Sequence, residues 1–223
     1  DNEVPRLIVS GQLDGPAQSI ASLLQDTPLA KQMPEEVADW QINDGRYQGQ
    51  LLLSWPLSAD TRDAAVLAQG QLQGVRLESE ARRLQLSELE AAFSFDLTKG
   101  MQLPAFSGQL FARPITGRVE TSAGSTRLNW RSSMEMPVLS DWLNLDWLSP
   151  ASGEFEYAGL LTLPWRRSAP VTLRVESGLE QVKIDLPAPF TKQAGRSAAL
   201  RLELTGTEQG SDLALRYQNL LSA

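Results

Sequence analysis

Leu200-Arg201-Leu202-Glu203-Leu204 and Leu213-Ala214-Leu215-Arg216-Tyr217 decide the fold. Large apolar side chains take every second position, and polar or small ones fill the gaps. An extended backbone sends successive side chains to opposite faces, so each stretch reads as a strand with one oily and one wet face. The pattern recurs outward along the chain. Val171, Leu173 and Val175 alternate with Thr172 and Arg174, and Leu128 and Trp130 flank Asn129. Phe93, Phe95 and Leu97 alternate with Ser94 and Asp96. Gly49-Gln50-Leu51-Leu52-Leu53-Ser54-Trp55 puts Leu51, Leu53 and Trp55 on one face. Such alternation favours antiparallel sheets that meet water on one side.

Turn chemistry separates the strands. Asn43-Asp44-Gly45, Thr98-Lys99-Gly100, Ala123-Gly124-Ser125 and Glu208-Gln209-Gly210 each lie between strand-like runs. Glycine supplies the positive φ of tight hairpins. Strand, short turn, strand describes a meander. Two segments depart from it. Residues 16–25 carry Ala17, Ile20, Leu23 and Leu24 at helical spacing after Asp14-Gly15, with Pro16 suited to a first helical turn. Val138, Leu139, Trp142 and Leu143 follow Pro137 and predict a second short amphipathic helix over about 137–144. Pro34–Ala38 reads as a further helical turn. These helices are expected to cap or plug the end of a sheet.

Composition narrows the chemistry. The 223 residues contain no His and no Cys. A His-based triad, a Cys nucleophile, a Cys/His zinc site and a disulfide are therefore excluded. Lys and Arg number 20 against 27 Asp and Glu, a net charge of −7, which is not the footprint of a nucleic-acid binder. The longest apolar runs are too short for a membrane span. A chain that opens on Asp1 and closes inside a strand-like pattern reads as a piece of something longer.

The sequence also repeats. Pro28, Trp40, Gly45, Gly49 and Pro56 are echoed by Pro137, Trp147, Gly153, Gly159 and Pro164, at offsets of 107 to 110 residues. This predicts two units, residues 1–110 with the helix at 16–25 and residues 111–223 with the helix near 137–144. Fixed-period units stack because none buries its own face alone. Gly-Gln-Leu recurs at Gly11, Gly49, Gly70 and Gly108. A glycine inside a strand marks a bend, a bulge or a close approach.

From the pattern alone a β-sandwich is as good a reading as an open sheet. The stretch Gly178-Leu-Glu-Gln-Val-Lys-Ile-Asp-Leu-Pro-Ala-Pro-Phe-Thr-Lys192 resembles the LPAPxxK segment of the YhdP branch of the AsmA-like proteins. Phe106-Ser-Gly-Gln-Leu-Phe-Ala-Arg-Pro114, the strand around Trp130-Arg131 and Leu139-Ser-Asp-Trp-Leu143 are similar to the same family, as are Thr27-Pro28-Leu29 and Gly45 to Leu53. The matching segments run from about Thr27 to Lys192.

The resemblance implies a mainly β fold with short helices, an extended, curled antiparallel sheet (a β-taco or repeating β-groove) with an apolar interior. It implies a periplasmic portion of a long protein anchored in the inner membrane, carrying phospholipid towards the outer membrane. The expected partners are phospholipid acyl chains, the rest of the same long chain and other envelope proteins; no cofactor is expected. The expected groove wall is Leu51, Leu53, Trp55, Phe93, Phe95, Leu128, Trp130, Leu161, Leu163, Val171, Leu173, Leu200, Leu202, Leu213 and Leu215. An acyl chain of about 14 methylenes costs on the order of 11 kcal/mol to hold in water, so a conduit must shield it continuously. About a dozen strands at ~4.8 Å spacing span roughly 60 Å. The alternative is a closed β-sandwich serving as a structural or docking module of the envelope.

Candidate catalytic groups are weak. Asp141 and Asp146 lie near Trp142 and Trp147, and Glu154 and Glu156 flank Phe155. Paired acids beside aromatics occur in glycosidases, but period two puts both glutamates on the polar face, and Asp141 falls on the wet side of its helix. The expectation is no enzyme, and no calcium-loop motif is present. Arg82-Arg83 and Arg166-Arg167 read as solvated turn charges in preference to a phosphate rim. The tryptophans read as core anchors. Leu186-Pro-Ala-Pro-Phe190 cannot be a central strand.

Overall fold

The computed structural model describes residues 5–19, 39–57, 64–122, 124–166, 169–188, 191–207, 210–217 and 221–222. Strands dominate. In chain order they are β1 (Arg6–Pro16), β2 (Gln41–Pro56), β3 (Ala65–Ser79), β4 (Leu84–Asp96), β5 (Gly100–Leu110), β6 (Arg113–Ser122) and β7 (Ser125–Glu135). A helix α1 (Met136–Leu143) and a 3-10 turn (Asp146–Leu148) follow. Then come β8 (Ala151–Ser152), β9 (Glu154–Pro164), β10 (Val171–Ser177), β11 (Lys183–Ile184), β12 (Leu200–Thr207), β13 (Gly210–Tyr217) and β14 (Leu221–Ser222). Twelve strands form one sheet in the order β1-β2-β3-β4-β5-β6-β7-β9-β10-β12-β13-β14. β8 and β11 form a separate two-stranded sheet. Pairing runs antiparallel between chain neighbours, as a meander requires. The sheet is not closed into a barrel.

By contacts the chain divides into two units, Asp1–Gly108 with Arg118–Thr126 and Gln109–Gly117 with Arg127–Ala223. The expected turn at Asn43-Asp44-Gly45 in unit 1 is instead a bulge within β2, where the register with β3 slips twice between Ile42 and Arg46. The same residues that make a hairpin can absorb an extra residue without leaving the ladder. Gly45 has φ 107°, and its carbonyl accepts the Ala17 N–H at 2.9 Å. A Cβ there would lie 2.5 Å from the Val75 Cα. Around it Ala17, Tyr47, Val75, Leu89 and Ala91 are buried. Pro16 ends β1 instead of opening a helix; Gln18 and Ser19 are helical. The rest of that expected helix, residues 20–25, and the turn at Pro34–Ala38 lie outside the described residues.

Unit 2 contains the same joint. Gly153 has φ 104°, and its carbonyl accepts the Met136 N–H at 2.9 Å where α1 begins. A Cβ at Gly153 would lie 2.3 Å from the Gln181 carbonyl and 3.3 Å from the Cα of fully buried Val182. Pro137 sits in the first turn of α1, and Asn144 ends it in the left-handed conformation. Met134, Met136, Ala151, Phe155, Tyr157, Leu179 and Val182 make the core of this unit, with Val138, Leu139 and Leu148 packed on it. Of the tryptophans expected as core anchors, Trp147 is 66% and Trp165 50% exposed, Trp40, Trp55 and Trp142 are half-buried, and half-buried Trp130 does pack against the core of unit 2.

Candidate functional site: one apolar face in each unit

Directly opposed residues of an antiparallel pair share a face, so the registers assign the expected wall. In unit 1 Leu51 stands opposite Gly11 and Ala68, and Ala68 opposite Phe95. Leu53 faces Val9 and Val66, and Trp55 faces Leu7. Gly49 faces Leu13 and Gly70, and Gly70 faces Phe93. Thus Leu51, Leu53, Trp55, Phe93 and Phe95 lie on one side. The reverse side carries Gln12, Gln50, Gln69 and Ser94 in one row. Leu52, opposite Leu67, and Ile8, opposite Ser54, interrupt that polar side, and all three apolar side chains are exposed.

In unit 2 Leu161, Leu173, Leu204 and Leu213 form one cross-strand row. Gly159, Val175, Leu202 and Leu215 form the next, and Ser177, Leu200 and Tyr217 a third. Val171 pairs with Gly206, and Leu163 continues the alternation of Leu161. The Trp130 ring lies across Gly159, where an added Cβ would meet it at 2.1 Å, so Trp130 shares this side and Leu128 alternates with it. The reverse side holds Arg174–Glu203 at 2.9 Å and Arg201–Glu176 at 2.7 Å. Exposed pairs of this kind contribute about 0–1 kcal/mol each, so they mark the watered face more than they hold it.

Burial separates a closed end from an open one. Met134, Phe155 and Tyr157 are buried beneath α1 and the segment around Leu179 and Val182. Burial pushes the Tyr157 phenol above its ordinary range, and the nearby Ser132 and Trp130 side chains partly offset this. Every expected wall residue is only half-buried, except Leu213, which is 60% exposed. A tightly packed facing layer would bury such residues.

Across its whole length, residues 1–223, the sequence matches the YhdP protein family. The chain belongs to the YhdP family. It is 23% identical over 225 residues to the intermembrane phospholipid transporter YhdP of Escherichia coli (strain K12), a match covering 96% of this chain and 17% of that protein. The chain thus spans less than a fifth of that relative's length. No solved structure matches it significantly.

The segment that carries the family resemblance serves the fold. Lys192 is 5% exposed, and its Nζ donates to the Val182 carbonyl at 2.6 Å. Burial pushes its ammonium below the ordinary lysine range. Its backbone pairs with Ile184 of β11. Leu186, Pro187 and Ala188 are exposed and outside any strand, and residues 189–190 lie outside the described residues. The acids do not assemble: Glu154 neighbours Arg113 at 3.5 Å, and Glu156, Asp141 and Asp146 are exposed. Among the described residues no cluster of acids could hold a metal ion. Arg82, in the turn after β3, pairs with Asp39 from just before β2, Arg166 is exposed, and Arg167 lies outside the described residues. No helix among the described residues is long and apolar enough to cross a membrane.

Sequence reasoning passed over several members of the same faces. Leu7, Val9 and Leu13 of β1 belong to the unit 1 side. Their alternation was legible, but Gly11 and Gly15 broke the run. Val66 and Ala68 were hidden because Leu67, on the reverse side, is as apolar as they are.

Proposed function

We propose that this chain is one segment of a phospholipid transporter and that it shields acyl chains on the apolar faces of its sheet while headgroups stay in water. It works as a conduit wall and performs no reaction. The observation that carries this reading is the one-sided, half-buried wall. Rows such as Leu161-Leu173-Leu204-Leu213 put contiguous hydrocarbon on one side of a sheet whose other side is charged. Contiguous exposed apolar surface is rare in proteins without a partner for it. An acyl chain is such a partner, since covering about 14 methylenes recovers on the order of 11 kcal/mol. The name of the Escherichia coli relative supports the lipid class. On this reading the segment works between two membranes, in the periplasm, tethered through the rest of a longer chain. The two glycine-pinned joints at Gly45 and Gly153 support reading the chain as two repeats of one groove-building unit.

Native mass spectrometry of the purified protein tests the proposal. The expected result is phospholipid released on activation in the gas phase. A protein that carries no lipid after purification from membranes, and takes up none from vesicles, would overturn it.

A further inference from the structure

We propose that an aromatic ring laid over glycine is a depth stop in each unit, ending the lipid-bearing part of the wall and sealing off the structural core behind it. This rests on the acyl-chain reading above. In unit 2 the boundary falls at Gly159. On one side of it along β9 lie Phe155 and Tyr157, both buried; on the other lie Leu161 and Leu163, both half-buried. Gly159 has no side chain to fill the step, and the Trp130 ring occupies that space. A Cβ on Gly159 would come within 2.1 to 2.5 Å of three Trp130 ring atoms. Trp130 packs against the buried cluster behind it and is itself only half-buried. It is therefore the last core residue and the first wall residue.

Unit 1 repeats the device with different residues. Tyr47 is 5% exposed and lies against the cross-strand pair Gly49 and Gly70. A Cβ at Gly49 would sit 2.6 Å from the Tyr47 hydroxyl, and one at Gly70 would sit 3.0 Å from Cε2. The ring also tilts against Phe93, with centroids 5.6 Å apart. Beyond it the face opens into Leu51 and Leu53. Two units with different aromatics and different strand registers thus solve one problem alike. A flat ring needs a bare backbone beneath it, which accounts for in-strand glycines that weaken a sheet elsewhere. An acyl chain lying in the open half meets the ring and goes no further.

The test uses a photoactivatable benzophenone amino acid in the full-length protein, at Leu161 or at Tyr157, with phospholipid adducts as the readout. In otherwise native protein Leu161 labels strongly and Tyr157 labels several-fold less. Trp130→Ala raises Tyr157 labelling several-fold, and Trp130→Leu, which keeps more of the core packing, raises it less. Gly159→Ala pushes the ring outward and lowers Leu161 labelling. Protease resistance identifies folded variants. Strong labelling at Tyr157 with Trp130 intact overturns the stop, as does an unchanged Tyr157 signal in a folded Trp130 variant. Absence of lipid adducts at Leu161, Leu163 and Leu173 alike overturns the acyl-chain reading, and the stop with it.

Discussion

At the residue scale, a few glycines hold positions that no other residue fits. Gly45 and Gly153 combine a φ near 105° with backbone packed where a Cβ would stand. Gly74, with φ 59°, has nothing within 4 Å of that position. The contrast separates conformational strain from collision. Gly45→Ala and Gly153→Ala are each expected to cost about 2–4 kcal/mol, strain plus overpacking, while Gly74→Ala costs about 1 kcal/mol. Urea midpoints of the three variants, read separately for each unit by local fluorescence, check the ordering. These glycines were visible in the sequence by their spacing, but their role was not. Asn43-Asp44-Gly45 has the composition of a hairpin turn, and only the continuation of the ladder with β3 makes it a bulge. Lys192 was equally opaque: its place at the end of a proline-rich stretch gives no sign of burial, and only the fold brings its ammonium to the Val182 carbonyl, to which it donates.

At the element scale, period-two alternation marked β2, β4, β7, β9, β10, β12 and β13, because each has one dry and one wet side, and it left β1, β3, β5 and β6 unmarked. The joints were harder. The turn between β5 and β6 uses Phe111 and Ala112 at φ 53° and 57°, a conformation that usually selects Gly or Asn. Phe111 is retained there by Trp142 of α1, whose ring meets it edge-on at 5.3 Å. Ala112 is exposed and has no such compensation. Ala112→Gly is therefore expected to stabilise the hairpin by up to about 1 kcal/mol, seen as a higher urea midpoint. An unchanged or lower midpoint would mean that the gain in chain entropy of the unfolded state cancels the relief. α1 was legible from its own residues, whereas its place over Met134, Phe155 and Tyr157 was not. The amphipathic stripe says that a helix is covered on one side and leaves open what covers it.

At the scale of the molecule, the wall is a property of register. Leu173 and Thr172 are neighbours in sequence, yet they belong to opposite faces, Leu173 with Leu161 and Leu204, Thr172 with Thr162 and Thr205. Leu173→Glu puts a charge among hydrocarbon and is expected to lower bound phospholipid several-fold, while Thr172→Glu leaves it within error. Phosphorus analysis of the purified variants, with circular dichroism as the check on folding, distinguishes the two. Equal loss, or equal retention, would detach lipid binding from this face. What the residues determined alone was local: strands with two unlike sides, short amphipathic helices, and a chemistry without histidine or cysteine. Alternation fixes that a face is apolar, because side-chain direction follows from the backbone of each strand. It does not fix whether that face is sealed, because sealing depends on which distant segment packs against it. The tertiary structure decided this, covering the Phe155–Tyr157 end with α1 and its neighbours and leaving Leu161 to Leu213 half open.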